Sequence, residues 1–464
     1  MTRRNGYALL AGLAAVVVMI SCGIFALTGL LSGDDSPRGA REGRDAHSGR
    51  SDGGRNGGST GLRPAAVAQW TGTWSASPVG PEPRTPRGLP GRSIRNVVHT
   101  SIGGHSARIT LSNRFGDKPL TVSHASIAVA AASGAPAAEP GTMRRVTFRG
   151  KASVTVPAGG TVTGDRTAIK VPYDGELLVT VFSASASGPV TYHPHARQAG
   201  YVADGDRTED ASGGSYRKQG DNWRYLTGVE VLNPDADGAV VLFGDSITDG
   251  IASTTDANRR YPDVLSDRLR AEPGAPHYGV LNQGISGNRL LTDNRGPSGL
   301  SRFRTDAADR PAVRAVVVLL GINDIIAPPH ERDPARIVAG LRELVRQGHA
   351  RQKRVVGSTL LPFGGHPAWT PELEAVRNTV NEEIRAGRVF DAVVDFDRAV
   401  RDPYAPSRML AVYDSGDHLH PGDEGYRRMG QWMDLRVLRG GYRVRGAGDG
   451  TDGLGTDAEA SLRS

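Results

Sequence analysis

The chain has 464 residues, 38% of them hydrophobic, which is enough length and apolar content for two globular cores with tails and too much for a wholly disordered polymer. Its formal net charge of +7 comes from arginines dispersed along the chain without an accompanying aromatic-basic motif, so no nucleic-acid partner is expected. The single cysteine, Cys22, lies near the N-terminus, so the rest of the chain holds neither an intramolecular disulfide nor a thiolate metal site.

Residues 1–31 begin with Arg3 and Arg4 and continue as an uncharged apolar run from Tyr7 to Leu31. A cleaved signal peptide has an apolar region of roughly 7–15 residues, whereas this run approaches the roughly 20 that span a bilayer. An uncleaved membrane anchor is the favoured reading and a signal peptide the alternative. The basic pair before the run puts the N-terminus in the cytoplasm and everything after Leu31 outside, so the protein is read as extracytoplasmic, anchored or secreted. Cys22 in Met19-Ile20-Ser21-Cys22 also admits a lipid-attachment reading, but the apolar run continues through Ile24, Phe25 and Leu27; a small apolar side chain is the plainer role. Residues 32–66 and 445–464 are rich in Gly, Arg, Ser and Asp and poor in large apolar residues, so they read as a disordered linker and tail that cannot offset their ordering entropy.

Residues 67–232 carry short apolar or alternating runs, such as Ala107–Leu111, Ala152–Val156 and Leu177–Phe182, separated by Gly, Pro and Asp clusters. They read as an all-β sandwich without a helical period. Trp70 and Trp74 suit a core or domain interface better than a ligand platform. From 237 to 440 the pattern changes. Ala239–Phe243, Ala315–Leu320 and Arg354–Thr359 are continuous apolar strands, and Pro334–Ala350 and Pro371–Ala386 are helical stretches between such runs. Strand-helix alternation of this kind predicts an α/β domain with a parallel sheet covered on both faces.

Three of the four polar motifs of this second half follow a buried strand or an apolar run, where open α/β sheets place ligands. Gly244-Asp245-Ser246 follows the first strand, and Ser246 reads equally as a nucleophile at the sheet edge or as a helix N-cap. Asn282-Gln283-Gly284-Ile285-Ser286-Gly287 and Gly321-Ile322-Asn323-Asp324 follow the next two apolar runs. A backbone N–H at Gly284 and the amide of Asn323 are candidate oxyanion donors, with ordinary turn chemistry as the other reading of each. Near the end, Asp417 lies three residues before His420 and can fold back onto its ring. His418 and His420 also raise a metal reading, set aside because no thiol or third histidine is near in sequence; no metal and no cofactor are expected.

Taken together and in this order, these segments resemble the SGNH hydrolases, or GDSL esterases, over roughly Asp237 to Arg439. Ile247 stands where that family's nucleophile segment usually has leucine. The resemblance implies a flavodoxin-like parallel sheet flanked by helices and preceded by the sandwich. It implies a serine carboxylic-ester hydrolase in which Ser246 attacks, His420 accepts its proton, Asp417 steadies the imidazolium, and Ser246, Gly284 and Asn323 form the oxyanion hole. Trp70-Thr-Gly-Thr-Trp74 and Gly200-Tyr201 look like the sandwich that precedes the esterase domain in acetylxylan-esterase-like bacterial members, which makes a small-molecule or polysaccharide ester the expected substrate.

The alternative is a non-catalytic carbohydrate-binding or adhesion protein on a hydrolase fold, which the intact Ser246, Asn323, Asp417 and His420 set argues against. A phosphate binder would lack its loop lysine. His193 and His195 are expected to pack at the interface between the two regions, with a lean toward the active site as the other reading. The loops Asp293–Phe303 and Pro362–Trp369 are expected to set specificity. Because the named catalytic residues lie between Ser246 and His420, chemistry is not expected to require the sandwich.

Overall fold

The computed structural model describes residues 69–439; the apolar run with Cys22, the 32–66 linker and the 445–464 tail lie outside the described residues. Among the described residues no helix is long and apolar enough to cross a membrane.

From Gln69 to Asn233 the chain forms strands and turns only. The principal strands are β1 (Gln69–Ser75), β2 (Arg92–Thr100), β3 (Ala107–Ser112), β4 (His124–Val129), β5 (Arg144–Val146), β6 (Thr161–Thr163), β7 (Gly175–Ser183), β8 (Thr191–His193), β9 (Gly200–Asp204), β10 (Arg217–Lys218) and β11 (Leu226–Asn233). One antiparallel sheet runs β1-β11-β3-β6, a second β10-β9-β2-β7-β4-β5. Strand periodicity explains the sandwich. Ile109, Leu111, Val229 and Val231 of the first sheet share a core with Ile94, Ile127, Val179 and Val181 of the second. Next to Val179 in β7, Leu178 points to the opposite face and joins Val97, Ala128 and Tyr201 in another cluster. That double burial is why Leu177–Phe182 is apolar on both faces except at Thr180, which accepts from Arg95 at 2.9 Å.

The second half contains the expected α/β sheet. Strands β12 (Gly238–Gly244), β13 (Tyr278–Gly284), β14 (Val313–Leu319), β15 (Arg354–Ser358) and β16 (Ala392–Val394) pair in parallel in the order β13-β12-β14-β15-β16. This is the flavodoxin-like order, with its reversal at β12. The helices used below are α1 (Ser246–Asp249), α2 (Tyr261–Ala271), α3 (Ile322–Ile326), α4 (Pro334–His349), α5 (Pro371–Arg385) and α6 (Asp423–Trp432). Both faces are covered. Val241, Phe243 and Val318 pack with Ile337 and Leu341 of α4 and Val380 of α5. Val240, Leu242 and Val317 pack with Leu265 of α2 and Met429 of α6. Asp333 caps α4 by accepting from the Ala335 N–H, Thr370 caps α5 by accepting from Leu373, and a proline follows each cap at the first helical position.

The sandwich meets the parallel sheet where β1 lies against β13. A Cβ on Gly279 would stand 2.0 Å from the Gly72 carbonyl oxygen, so glycine is required for this approach. Ser101 bridges the junction, accepting from the Val280 N–H at 2.8 Å and donating to the Thr73 carbonyl at 2.7 Å.

Candidate active site

Strand β12 ends at Gly244, and the chain turns at once into α1, whose first residue is Ser246. The turn is held by Asp245, which accepts from the Ile247 N–H at 3.0 Å. Asp245, and not Ser246, is therefore the cap, which frees the serine hydroxyl. As the first residue of a helix, Ser246 has an N–H without an intrahelical acceptor.

The loop before α6 supplies the other two groups. His420 Nε2 lies 2.8 Å from Ser246 Oγ, and His420 Nδ1 lies 2.6 Å from Asp417 Oδ2. An ionised carboxylate only accepts, so Nδ1 carries a proton and Nε2 offers its lone pair to the serine hydroxyl. The other Asp417 oxygen accepts the N–H groups of His420 at 2.8 Å and Leu419 at 2.9 Å. Partial burial works to raise the Asp417 carboxyl, but the His420 N–H, the His420 ring and the Leu419 N–H outweigh it and hold the group at about 2. His418 turns elsewhere, its Nδ1 2.7 Å from Asp414 Oδ2, so the neighbouring histidines serve different carboxylates. His366, in the Pro362–Trp369 segment, lies beside this loop; burial lowers its pKa, Asp417 opposes the shift, and the charges of His420 and His418 add to it.

Gly284 does not sit as the sequence reading had it. It is the last residue of β13, and its N–H donates to Asn282 Oδ1 at 2.9 Å. A Cβ there would stand 2.2 Å from the Asp249 nitrogen, so close packing of β13 on α1 accounts for this glycine. Gly287, three residues on, has φ +76° and an N–H with no acceptor among the described residues. Asn323, near the start of α3, reaches the same turn, its Nδ2 donating to the Asn288 carbonyl at 3.1 Å. The structure therefore brings Asn323 to the turn around Gly287 and commits the Gly284 N–H elsewhere.

Beneath these groups lies Arg302, fully buried, which sequence reading missed by assigning Asp293–Phe303 to a specificity loop. The second half of that segment is a helical turn, Gly299–Phe303. Arg302 donates to the carbonyls of Gly244 and Gln283, each at 2.8 Å, and to Asn288 Oδ1 at 2.9 Å, so one guanidinium ties the ends of β12 and β13 to the Gly287 turn. Burial lowers its pKa to about 10, which leaves it charged at neutral pH. Burial also pushes the Asp245 carboxyl up to about 7, opposed by the Ile247 N–H and reinforced by Asp324. Near neutrality the residue next to Ser246 is therefore divided between its protonated and ionised forms rather than a full negative charge.

The sandwich reaches the residues that surround this site. Ser77 hydrogen-bonds the Gln283 side chain and accepts from Arg302 at 3.1 Å. Arg197 donates to the Ser253 carbonyl, and the Ala199 N–H donates to Asp256 Oδ1 at 2.6 Å, holding the loop that follows α1. His193 is buried against Asp249 of α1, whereas His195 is exposed. Trp74 and Trp223 meet edge to face at 4.8 Å within the sandwich core, and Trp70 lies under the Arg108 guanidinium. Asp249 offered one sequence signal, its position three residues after Ser246 on one helix face; Arg302 offered none.

Residues 242–428 match the model of the GDSL-like lipase/acylhydrolase family. No curated protein matches the chain. Among solved structures, similarity is found to a carbohydrate acetylesterase from Sinorhizobium meliloti, 19% identical over 41% of this chain and 94% of that one, with a TM-score of 0.33. A GDSL-like lipase from Bacteroides thetaiotaomicron VPI-5482 is 20% identical over 43% of this chain and 88% of its own, with a TM-score of 0.33. The inhibitor-bound aryl esterase of M. smegmatis is 20% identical over 43% and 96%, also at 0.33.

Proposed function

We propose that this ester hydrolase, whose residues 242–428 are a GDSL-like lipase/acylhydrolase domain, cleaves carboxylic esters through an acyl-enzyme formed on Ser246. The observation that carries the reading is the continuous chain Asp417–His420–Ser246, with contacts of 2.6 and 2.8 Å. Ser246 Oγ attacks the ester carbonyl carbon while its proton passes to His420 Nε2, and the carbonyl π electrons move to oxygen. Asp417 keeps the proton on Nδ1 and balances the imidazolium charge. The oxyanion is held by the N–H groups of Ser246 and Gly287 and the amide of Asn323. Collapse breaks the bond to the alcohol oxygen, which takes the proton from His420. A water then repeats the attack, releasing the carboxylic acid and restoring Ser246.

The proposed substrates are short acyl esters, acetylated polysaccharide among them, supported by the acetylxylan-esterase-like entry motif Trp70-Thr-Gly-Thr-Trp74 of the sandwich. The enzyme is proposed to work outside the cytoplasm, supported by Arg3 and Arg4 ahead of the uncharged run from Tyr7 to Leu31. One panel tests both parts: acetyl to palmitoyl chromogenic esters, acetylated xylan, and a membrane-impermeant ester given to intact cells. Short esters and the impermeant ester should be cleaved. Ser246→Ala should fold and keep only a residual rate, roughly 10³–10⁴-fold over water. Near-wild-type turnover by the folded Ser246→Ala chain removes the nucleophile assignment, and cleavage of the impermeant ester only after lysis removes the location.

A further inference from the structure

We infer that His193, a residue of the sandwich, is a positioning residue for ester hydrolysis: through Asp249 and Ser286 it aims the Gly287 N–H at the oxyanion. The inference rests on the triad reading and adds a part contributed by the other region of the chain.

His193 ends β8 and is 4% exposed. Its ring lies 5.3 Å from Trp223, whose Nε1 donates to the Val97 carbonyl at 2.7 Å, so the imidazole is fixed from the sandwich core. His193 Nδ1 is 2.7 Å from the Ser77 carbonyl. A carbonyl only accepts, so that nitrogen carries a proton and the ring orientation is set. The opposite nitrogen, Nε2, lies 3.0 Å from Asp249 Oδ1.

Asp249 ends the four-residue helix that Ser246 begins. Its second oxygen accepts twice from one residue of the oxyanion turn, from the Ser286 N–H at 3.1 Å and the Ser286 hydroxyl at 2.5 Å. With Oδ2 filled by two donors, Oδ1 is the oxygen that faces His193. The carboxylate thus spans the gap between sandwich and turn with both oxygens engaged. The residue after Ser286 is Gly287, whose N–H has no acceptor among the described residues.

A donor of this kind acts in the transition state only if held in place beforehand, within about 0.5 Å of its working position. Gly287 lies in a left-handed turn whose own conformation offers little restraint, since glycine occupies either hand with ease. On one side of Gly287 the restraint is Asn288, held by Arg302 and Asn323; on the other it is Ser286, held by Asp249. Without His193, Asp249 Oδ1 loses this buried partner and the carboxylate is free to rotate away from Ser286.

The test uses the full chain and a chromogenic acetyl ester. His193→Phe keeps ring volume against Trp223 and removes both hydrogen bonds, and should lower kcat about 10- to 100-fold with KM within about twofold, as misplacing one oxyanion donor requires. His193→Gln retains a side-chain amide and should recover part of the loss. Ser286→Ala should give a similar kcat loss, and the double variant should be no slower than the slower single one, because both break one chain of contacts. If His193→Phe does not fold, His193→Gln and Ser286→Ala carry the comparison, and wild-type kcat in both overturns the inference. Wild-type kcat in folded His193→Phe, a change in KM alone, or losses that multiply in the double variant also overturn it. Ser246→Ala separates this outcome from failure of the triad reading, since it should abolish turnover whatever His193 does.

Discussion

The parallel sheet gathers its reactive polar groups at one end, beyond the carboxyl ends of β12, β13 and β14, whereas the sandwich directs buried polar groups sideways, into its junction with that sheet. Ser246, the Gly287 turn and Asn323 belong to the first arrangement, each following a strand end by a few residues. Ser77, His193 and Arg197 belong to the second, reaching Gln283, Asp249 and Ser253 across the junction. Both regions are held by ordinary cores, but only the first carries the residues proposed to touch the ester. The second fixes the backbone that carries them. In the proposed reading, reaction chemistry and the rigidity it needs come from different parts of the chain.

The sharpest way to separate the two contributions is at Asp417. Asp417→Asn should lower kcat by up to about 10⁴-fold, because an amide does not hold the Nδ1 proton or balance the imidazolium. A carboxyl held at about 2, below its ordinary value of about 3.9, contributes stability that is present above the ordinary value and lost as pH falls through about 2. Asp417 therefore stays ionised from pH 5 upward. It should add no ionisation to the kcat/KM profile between pH 5 and 8. An Asp417→Asn variant within tenfold of wild type, or a kcat/KM step above pH 5 that this substitution removes, would break the proposed division.

A smaller effect is expected from removing the sandwich. A chain starting at Asn233 keeps the residues that touch the ester but loses Ser77 and His193, leaving Asp249 and Gln283 without their partners across the junction. Where circular dichroism shows it folded, its kcat on an acetyl ester should fall by at least the loss seen in His193→Phe, about 10- to 100-fold. Full turnover by the folded fragment would make the sandwich a mere neighbour.

The same contrast governs what was legible in the sequence. The sheet's strands were readable because both faces are buried and the apolar runs are continuous, and Ser246, Asn323, Asp417 and His420 because each belongs to a short motif after an apolar run or beside its partner. Asp417 and His420 need only three residues to meet. The supporting contacts have no such local signature: His193 meets Asp249 across 56 positions and Ser77 meets Gln283 across 206. Arg302, in Leu300-Ser301-Arg302-Phe303, looks like any surface arginine until the strand ends it ties are known. Gly284 was misread for a related reason. Sequence shows that a glycine is needed, but whether for its N–H or for the room beside the Asp249 nitrogen depends on where α1 packs.

The account turns on Ser246 as the nucleophile in a site braced from the sandwich, and the most direct measurement is covalent trapping. The full chain treated with a fluorophosphonate should gain one adduct, which mass spectrometry places on the peptide containing Ser246, and His193→Phe should be labelled more slowly at the same residue. An adduct on another serine, or a chain that hydrolyses esters yet takes no label, would contradict the account.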